Sequence, residues 1–218
     1  MRTRVKMCGF TRADDIVAAV QAGADALGFV FDEKSKRYIS VERAAELRAR
    51  IPAFVQSVAL FVNPKPAFVY QVIEQMQPDL LQFHGEESVI FCESFHHPYV
   101  RAFRVGGPGL DSAEGILQAC RQYSSAQAWL FDSYTPAYGG SGTRFDLALL
   151  EQVCAQRLDH EPPIVLAGGI RPDSLQLVLE QVKPYAIDVS SAIEDAPGVK
   201  NGKKMQELMQ QLMKITQA

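Results

Sequence analysis

The sequence predicts an α/β fold, a single (β/α)8 barrel over residues 1–218. Three observations carry this. Eight short β-prone apolar runs recur along the chain, each followed by a polar or glycine-bearing loop and a helical stretch. The runs are almost continuously apolar, as strands buried on both faces of a parallel sheet must be. The length allows about 27 residues per unit, and no linker or low-complexity tract divides the chain. An open doubly wound sheet competes, because periodicity does not reveal closure. No Gly-x-Gly-x-x-Gly follows the first run, which weakens the dinucleotide-binding version of that sheet.

In order, the first strand is read at 5–8, with a helix at 13–22 stopped by Gly23. The second strand is 26–31, with its helix at 41–50. The third is 55–62, running into Asn63-Pro64 and a helix ending near Met76. Residues 80–83 form the fourth, with a helix from 86 to about 95. The fifth is 99–105, its helix 112–122. The sixth is 129–132, and its loop, 133–144, is the longest before Phe145-Asp146 opens a helix. The seventh is 164–167 and the eighth 186–189, and a helix from about 203 to 216 closes the chain.

Composition removes several function classes. With 22 Lys plus Arg against 25 Asp plus Glu the net charge is −3, which leaves no basic footprint for nucleic acid. Hydrophobic residues at 47% and charged residues at 22% argue against extensive disorder. No apolar run approaches the roughly 20 residues needed to span a bilayer, and the opening residues carry no signal-peptide core. A soluble protein is expected. Cys8, Cys92, Cys120 and Cys154 lie far apart without metal-ligand spacing, so reduced thiols are expected and a metal site is not.

In such a barrel, function belongs at the C-terminal ends of the strands and in the loops after them. The polar residues there are Cys8, Arg37, His84, Asp132 and Asp188, with the pairs Gly168-Gly169 and Ser190-Ser191. The loops after strands seven and eight frequently build a phosphate site, although a glycine pair also serves as a plain tight turn. Gly139-Gly140-Ser141-Gly142-Thr143 adds a candidate third contact. Cys8 taken alone reads as a small packing residue. Cys92, Cys120 and Cys154 fall in predicted helices and read the same way. Asp132 at the tip of an apolar strand can serve as a general acid or cap its loop. Cys8 and Asp132 lie three strands apart, within joint reach of a substrate lying across the barrel mouth. Arg37 can grip a carboxylate bidentately, or remain a solvated loop arginine. His84 needs no catalytic role.

Motifs carrying these residues resemble a known family. Lys6-Met7-Cys8-Gly9-Phe10-Thr11 is similar to the KICGIT opening of the phosphoribosylanthranilate isomerases of tryptophan biosynthesis. Further matches are the stretch from Gly23 to Phe31, Ser35-Lys36-Arg37-Tyr38-Ile39, Phe61-Val62-Asn63 and Gln82-Phe83-His84-Gly85. They continue through Asp132, Gly139-Gly140-Ser141-Gly142, Phe145-Asp146, Leu166-Ala167-Gly168-Gly169-Ile170, Asp188-Val189-Ser190-Ser191 and Pro197-Gly198-Val199-Lys200. The matches run in order through almost the whole chain. Met7, Phe83, Leu147 and Ala192 depart from the pattern.

The resemblance implies a TIM barrel performing an Amadori aldose–ketose rearrangement, without metal or organic cofactor. It implies Asp132 as general acid and Cys8, as thiolate, as the base. Arg37 would hold the substrate carboxylate and Asp188 a sugar hydroxyl, with His84 nearby as a substrate contact of undefined role. Gly142, Gly168, Gly169, Ser190 and Ser191 would bind the phosphate. The implied partner is a small phosphorylated substrate, with neither nucleic acid nor membrane. The implied state is a cytoplasmic monomer or homodimer. The histidine-pathway Amadori isomerase is a related barrel that uses paired aspartates on a bis-phosphorylated substrate. Cys8 and one phosphate site favour the smaller substrate. A barrel that binds a sugar phosphate without turnover is the non-enzymatic alternative.

Overall fold

The computed structural model describes residues 2–133 and 146–217, and in it eight parallel strands close into a barrel in chain order. The strands are β1 (Arg4–Cys8), β2 (Ala26–Val30), β3 (Gln56–Phe61), β4 (Leu80–Phe83), β5 (Tyr99–Val105), β6 (Ala128–Ser133), β7 (Ile164–Ala167) and β8 (Ala186–Val189). The helices are α1 (Ala13–Ala22), α2 (Val41–Arg48), α3 (Pro66–Met76), α4 (Val89–Glu93), α5 (Ala113–Arg121), α6 (Leu147–Gln156), α7 (Pro172–Gln181) and α8 (Gly202–Gln217). Pairing of β1 with β8, with Lys6 level with Asp188, closes the ring and excludes the open sheet.

Side chains alternate along each strand. Val5 and Met7, Leu81 and Phe83, Trp129 and Phe131, and Ile187 and Val189 face outward into the main core beneath the helices. The opposite parity faces the barrel interior, where small residues dominate: Ala102, Ala128, Ala167 and Ala186, with Val100, Leu130 and Val165. A layer of inward polar residues, Lys6, Gln82 and Asp188, lies above them and is almost fully buried. A cavity of about 530 Å³ opens at the N-terminal pole, among Arg4, Asp25, Gln56, Asp79 and Tyr185, with Lys6 and Gln82 at its inner end.

The helices close the outer layer by burying one stripe each. In α5 the buried residues Ala113, Ile116, Leu117 and Cys120 recur at three- and four-residue spacing. Ser112 caps this helix by accepting from the Gly115 amide at 3.2 Å, an interaction typically worth about 0.5–2 kcal/mol. Asp146 does the same for α6 through the amides of Ala148 and Leu149. Full burial of Trp129 or Phe83 contributes roughly 1.5–3 kcal/mol each.

Two elements differ from expectation. The helix expected over 86–95 is only Val89–Glu93. The Glu87 carboxylate folds back to accept from the amides of Asn63 and Gly85, and Ser88 caps the helix only after that turn. Beyond β8, a 3-10 turn (Ser191–Ile193) leads into an antiparallel hairpin, β9 (Glu194–Ala196) with β10 (Val199–Lys200). Among the described residues no helix is long and apolar enough to cross a membrane. Cys92, Cys120 and Cys154 lie in α4, α5 and α6, and none of the four cysteines is disulfide-bonded.

Candidate active site

Cys8 ends β1 on the inward face and is almost fully buried. Its register partner on β2 is Gly28. A Cβ at Gly28 would lie 2.6 Å from the Cys8 Sγ, so the missing side chain is the space the thiol fills. Two residues earlier on the same face, Lys6 pairs with Asp188, Nζ to Oδ2 at 2.5 Å. The second oxygen, Asp188 Oδ1, is buried and makes no hydrogen bond among the described residues. Burial pushes the Cys8 thiol above its ordinary value. Lys6 pulls it down, Asp188 pushes it up and Lys200 pulls it down again. Burial also works against the Lys6 ammonium, but Asp188 and Cys8 together hold its pKa above the usual lysine value.

The hairpin after β8 supplies a second charged cluster. Lys200 Nζ donates to the Cys8 carbonyl oxygen and to Glu194 Oε1 at 2.6 Å. Its side chain is 0% exposed and that of Glu194 only 4%. Glu194 also receives Arg37, whose Nε and Nη2 reach it at 3.0 and 2.7 Å, and the Gly198 amide at 3.1 Å. Arg37 therefore grips a carboxylate bidentately, but that of Glu194 within the chain, where the sequence suggested a substrate carboxylate or solvent. Nη1 makes no hydrogen bond to the described residues. Burial pushes the Glu194 carboxyl up, yet hydrogen bonds from Arg37 and Lys200 and their charges hold it below its usual range. Burial lowers the Lys200 ammonium, with Glu194 only partly offsetting it.

Asp132 lies near the end of β6, its side chain 23% exposed. Its Oδ2 meets His84 Nε2 at 3.0 Å, and His84 Nδ1 meets the Gln82 amide nitrogen at 3.2 Å. The turn carrying His84 is fixed from outside the barrel by Arg101, which donates to the carbonyls of Phe83, Ala102 and Gly85. Gly168 follows β7 at φ 78°, and a Cβ there would collide with Asp132 Oδ1, so the Asp132 carboxyl lies directly against Gly168. Ser190 donates through Oγ to the Cys8 carbonyl at 2.9 Å, and Ser191 opens the 3-10 turn beside it.

The structure thus brings Cys8, Arg37, Asp188, Ser190 and Ser191 to one side of the barrel mouth, and His84, Asp132, Gly168 and Gly169 to the other. Gly142 and the glycine run around it lie outside the described residues. Lys6, Gln82, Glu194 and Lys200 were not singled out from sequence. Lys6 and Gln82 stand two residues before Cys8 and His84, so strand alternation was a usable signal for both. Lys200 closes a motif that matches the family, whereas Glu194 carries no signal, because its contact with Arg37 spans most of the chain.

Comparison with known proteins places this geometry in a family. The family described as PRAI, N-(5'phosphoribosyl)anthranilate (PRA) isomerase, matches residues 5–211. An N-(5'-phosphoribosyl)anthranilate isomerase of Bordetella bronchiseptica is 54% identical over 217 residues, covering 100% of this chain and 99% of that one. The crystal structure of phosphoribosyl anthranilate isomerase from Thermotoga maritima superposes with a TM-score of 0.86 at 34% identity, covering 97% of this chain and 99% of that one. A second crystal structure, of the isomerase in complex with reduced 1-(o-carboxyphenylamino)-1-deoxyribulose 5-phosphate, superposes with a TM-score of 0.82 at 31% identity, again covering 97% and 99%. The chain belongs to the N-(5'-phosphoribosyl)anthranilate isomerase family of tryptophan biosynthesis and is an isomerase with the TIM-barrel fold.

Proposed function

We propose that the chain rearranges N-(5'-phosphoribosyl)anthranilate to 1-(o-carboxyphenylamino)-1-deoxyribulose 5-phosphate, with Asp132 as acid and Cys8 as base. The observation that carries this reading is the closed barrel, which sets both residues at the same end of the ring. Between their strands, β7 and β8 end in the glycine and serine pairs. Gly168, Gly169, Ser190 and Ser191 take the phosphate, with Gly142 as a further contact. A phosphate held over β7 and β8 leaves the sugar spanning from β6 toward β1.

Asp132 gives its proton to the ribofuranose ring oxygen. The C1'–O bond breaks and a Schiff base forms between C1' and the anthranilate nitrogen. Cys8 removes the proton from C2', and its electron pair moves toward the nitrogen to give an enolamine, which ketonises to the product. Burial holds the thiol up in the free protein, while Lys6 and Lys200 supply nearby positive charge. The cationic Schiff base adds more at the moment the thiolate is needed. Arg37, braced by Glu194, offers Nη1 to the anthranilate carboxylate. The buried free oxygen of Asp188 accepts from a sugar hydroxyl. His84, bonded to Asp132, lies at the same wall of the site as a substrate contact.

The remaining assignments are a cytoplasmic location, a phosphorylated small molecule as partner, and a monomer or homodimer. The test is turnover followed by the loss of anthranilate fluorescence, together with complementation of a tryptophan auxotroph lacking this step. The wild type is expected to turn over and complement. Cys8→Ala and Asp132→Asn are each expected to lose at least about 10²-fold while still binding the product analogue. Full activity in Cys8→Ala removes the base assignment.

A further inference from the structure

We propose that Gln82 is a positioning residue that fixes the proton of His84 on Nε2 and so provides a hydrogen bond to Asp132. The inference rests on the reading of Asp132 as the acid. In the carboxylate state that Asp132 reaches after giving up its proton, Oδ2 only accepts, so the ring nitrogen 3.0 Å from it donates. In a neutral imidazole that leaves Nδ1 bare, and a bare nitrogen accepts. The group facing Nδ1 is the Gln82 side-chain amide nitrogen, a donor, at 3.2 Å. Gln82 is 1% exposed, with its Oε1 buried and without a hydrogen-bond partner among the described residues. Its amide therefore lies wholly in the barrel interior, with its donor end turned to the histidine.

The consequence for the reaction follows from what the acid becomes. Once Asp132 has delivered its proton to the ring oxygen it is a carboxylate, and the Nε2–H bond to Oδ2 stabilises that developing charge. With Oδ2 engaged by His84, Oδ1, which lies against Gly168, is the oxygen left to hold the transferable proton. The tautomer thus favours the state after proton transfer more than the state before it, as transition-state stabilisation requires. Arg104 on β5 is level with Asp132, and the Lys6–Asp188 pair lies on β1 and β8. These other charged groups of the inward face are the same in every comparison below.

The experiment uses the full chain with histidine labelled with 15N. In the wild type His84 is expected to show a protonated Nε2 and an unprotonated Nδ1, and the reverse pattern overturns the proposal. Gln82→Leu removes the donor at similar volume and is expected to lower kcat roughly 3- to 10-fold, the worth of one neutral hydrogen bond. His84→Phe removes the charged hydrogen bond and is expected to cost roughly 10- to 100-fold, partly restored in His84→Gln, which again offers a donor. In Gln82→Glu, where an acceptor faces the ring, the 15N spectrum is expected to show a proton on Nδ1. A ring that keeps Nδ1 unprotonated in that variant overturns the proposal, since a merely structural role would not move the proton. Asp132→Asn is the control for the underlying reading: if it stays active, the acid assignment fails, whatever the tautomer of His84. If it is inactive while both Gln82 variants match the wild type, only the role of Gln82 fails.

Discussion

Glu194 receives Arg37, Lys200 and the Gly198 amide together, so its replacement tests the packing behind the site. Glu194→Gln keeps shape and removes one charge. The Lys200 side chain is 0% exposed, so its ammonium is left buried opposite a neutral amide. Breaking a buried pair from one side costs about 3–5 kcal/mol. For a protein of this size that lowers Tm by roughly 6–20 °C. Urea and thermal melts measure it. Because the Glu194 carboxyl is held below its usual range when folded, its contribution is complete above the ordinary carboxylate pKa of about 4.3. It is lost as pH falls through the folded value. The gap between wild type and variant is therefore expected to narrow on acidification below about pH 4. Glu194→Gln combined with Lys200→Met removes both charges and is expected to recover most of the loss. If the single variant loses less than about 1 kcal/mol, or the double variant is no more stable than the single, the buried-pair account is wrong.

Further expectations concern the site itself. Gly168→Ala places a methyl where Asp132 Oδ1 lies and asks a non-glycine residue to hold φ 78°; kcat should fall about 10²-fold, and wild-type turnover would contradict the contact. Gly28→Ala presses on the Cys8 Sγ and should depress activity with little effect on phosphate affinity, read as kcat against product-analogue binding. Activity should rise with pH as the Cys8 thiol, pushed up by burial, ionises. Lys6→Met removes the largest opposing charge, so this limb should move to still higher pH; a downward move in the pH–rate profile would refute the part given to Lys6. Arg37→Lys loses the fork that Glu194 and a carboxylate share, and should raise KM more than it lowers kcat.

The eight strands were legible because a strand buried on both faces has to be apolar throughout, and β4, β5, β7 and β8 match the expected bounds residue for residue. The places of Cys8, Asp132 and Asp188 at the barrel mouth were legible by position, although Cys8 taken alone reads as a packing residue and only the resemblance gives it a role. The short α4 was not, because the carboxylate that truncates it acts across a turn on Asn63 and Gly85. Nor was the hairpin of Glu194 and Lys200. It is only five residues of strand, and its partners Arg37 and Cys8 precede it by 157 and 192 residues. Local pattern reports what an element is, whereas charge partners across a ring depend on closure.

That closure also orders events in time. Cys8 is made early, but Asp188, Ser190, Glu194 and Lys200, which build its surroundings, come from the final strand and the hairpin beyond it. On a ribosome Cys8 therefore emerges long before the charges that surround it, and the nascent chain holds an ordinary thiol. The loop joining these contacts spans nearly the whole chain, so its closure entropy falls due late in folding. Catalytic competence and ring closure are then expected to arrive in a single step, and the gain of activity during refolding serves as a clock for the last strand.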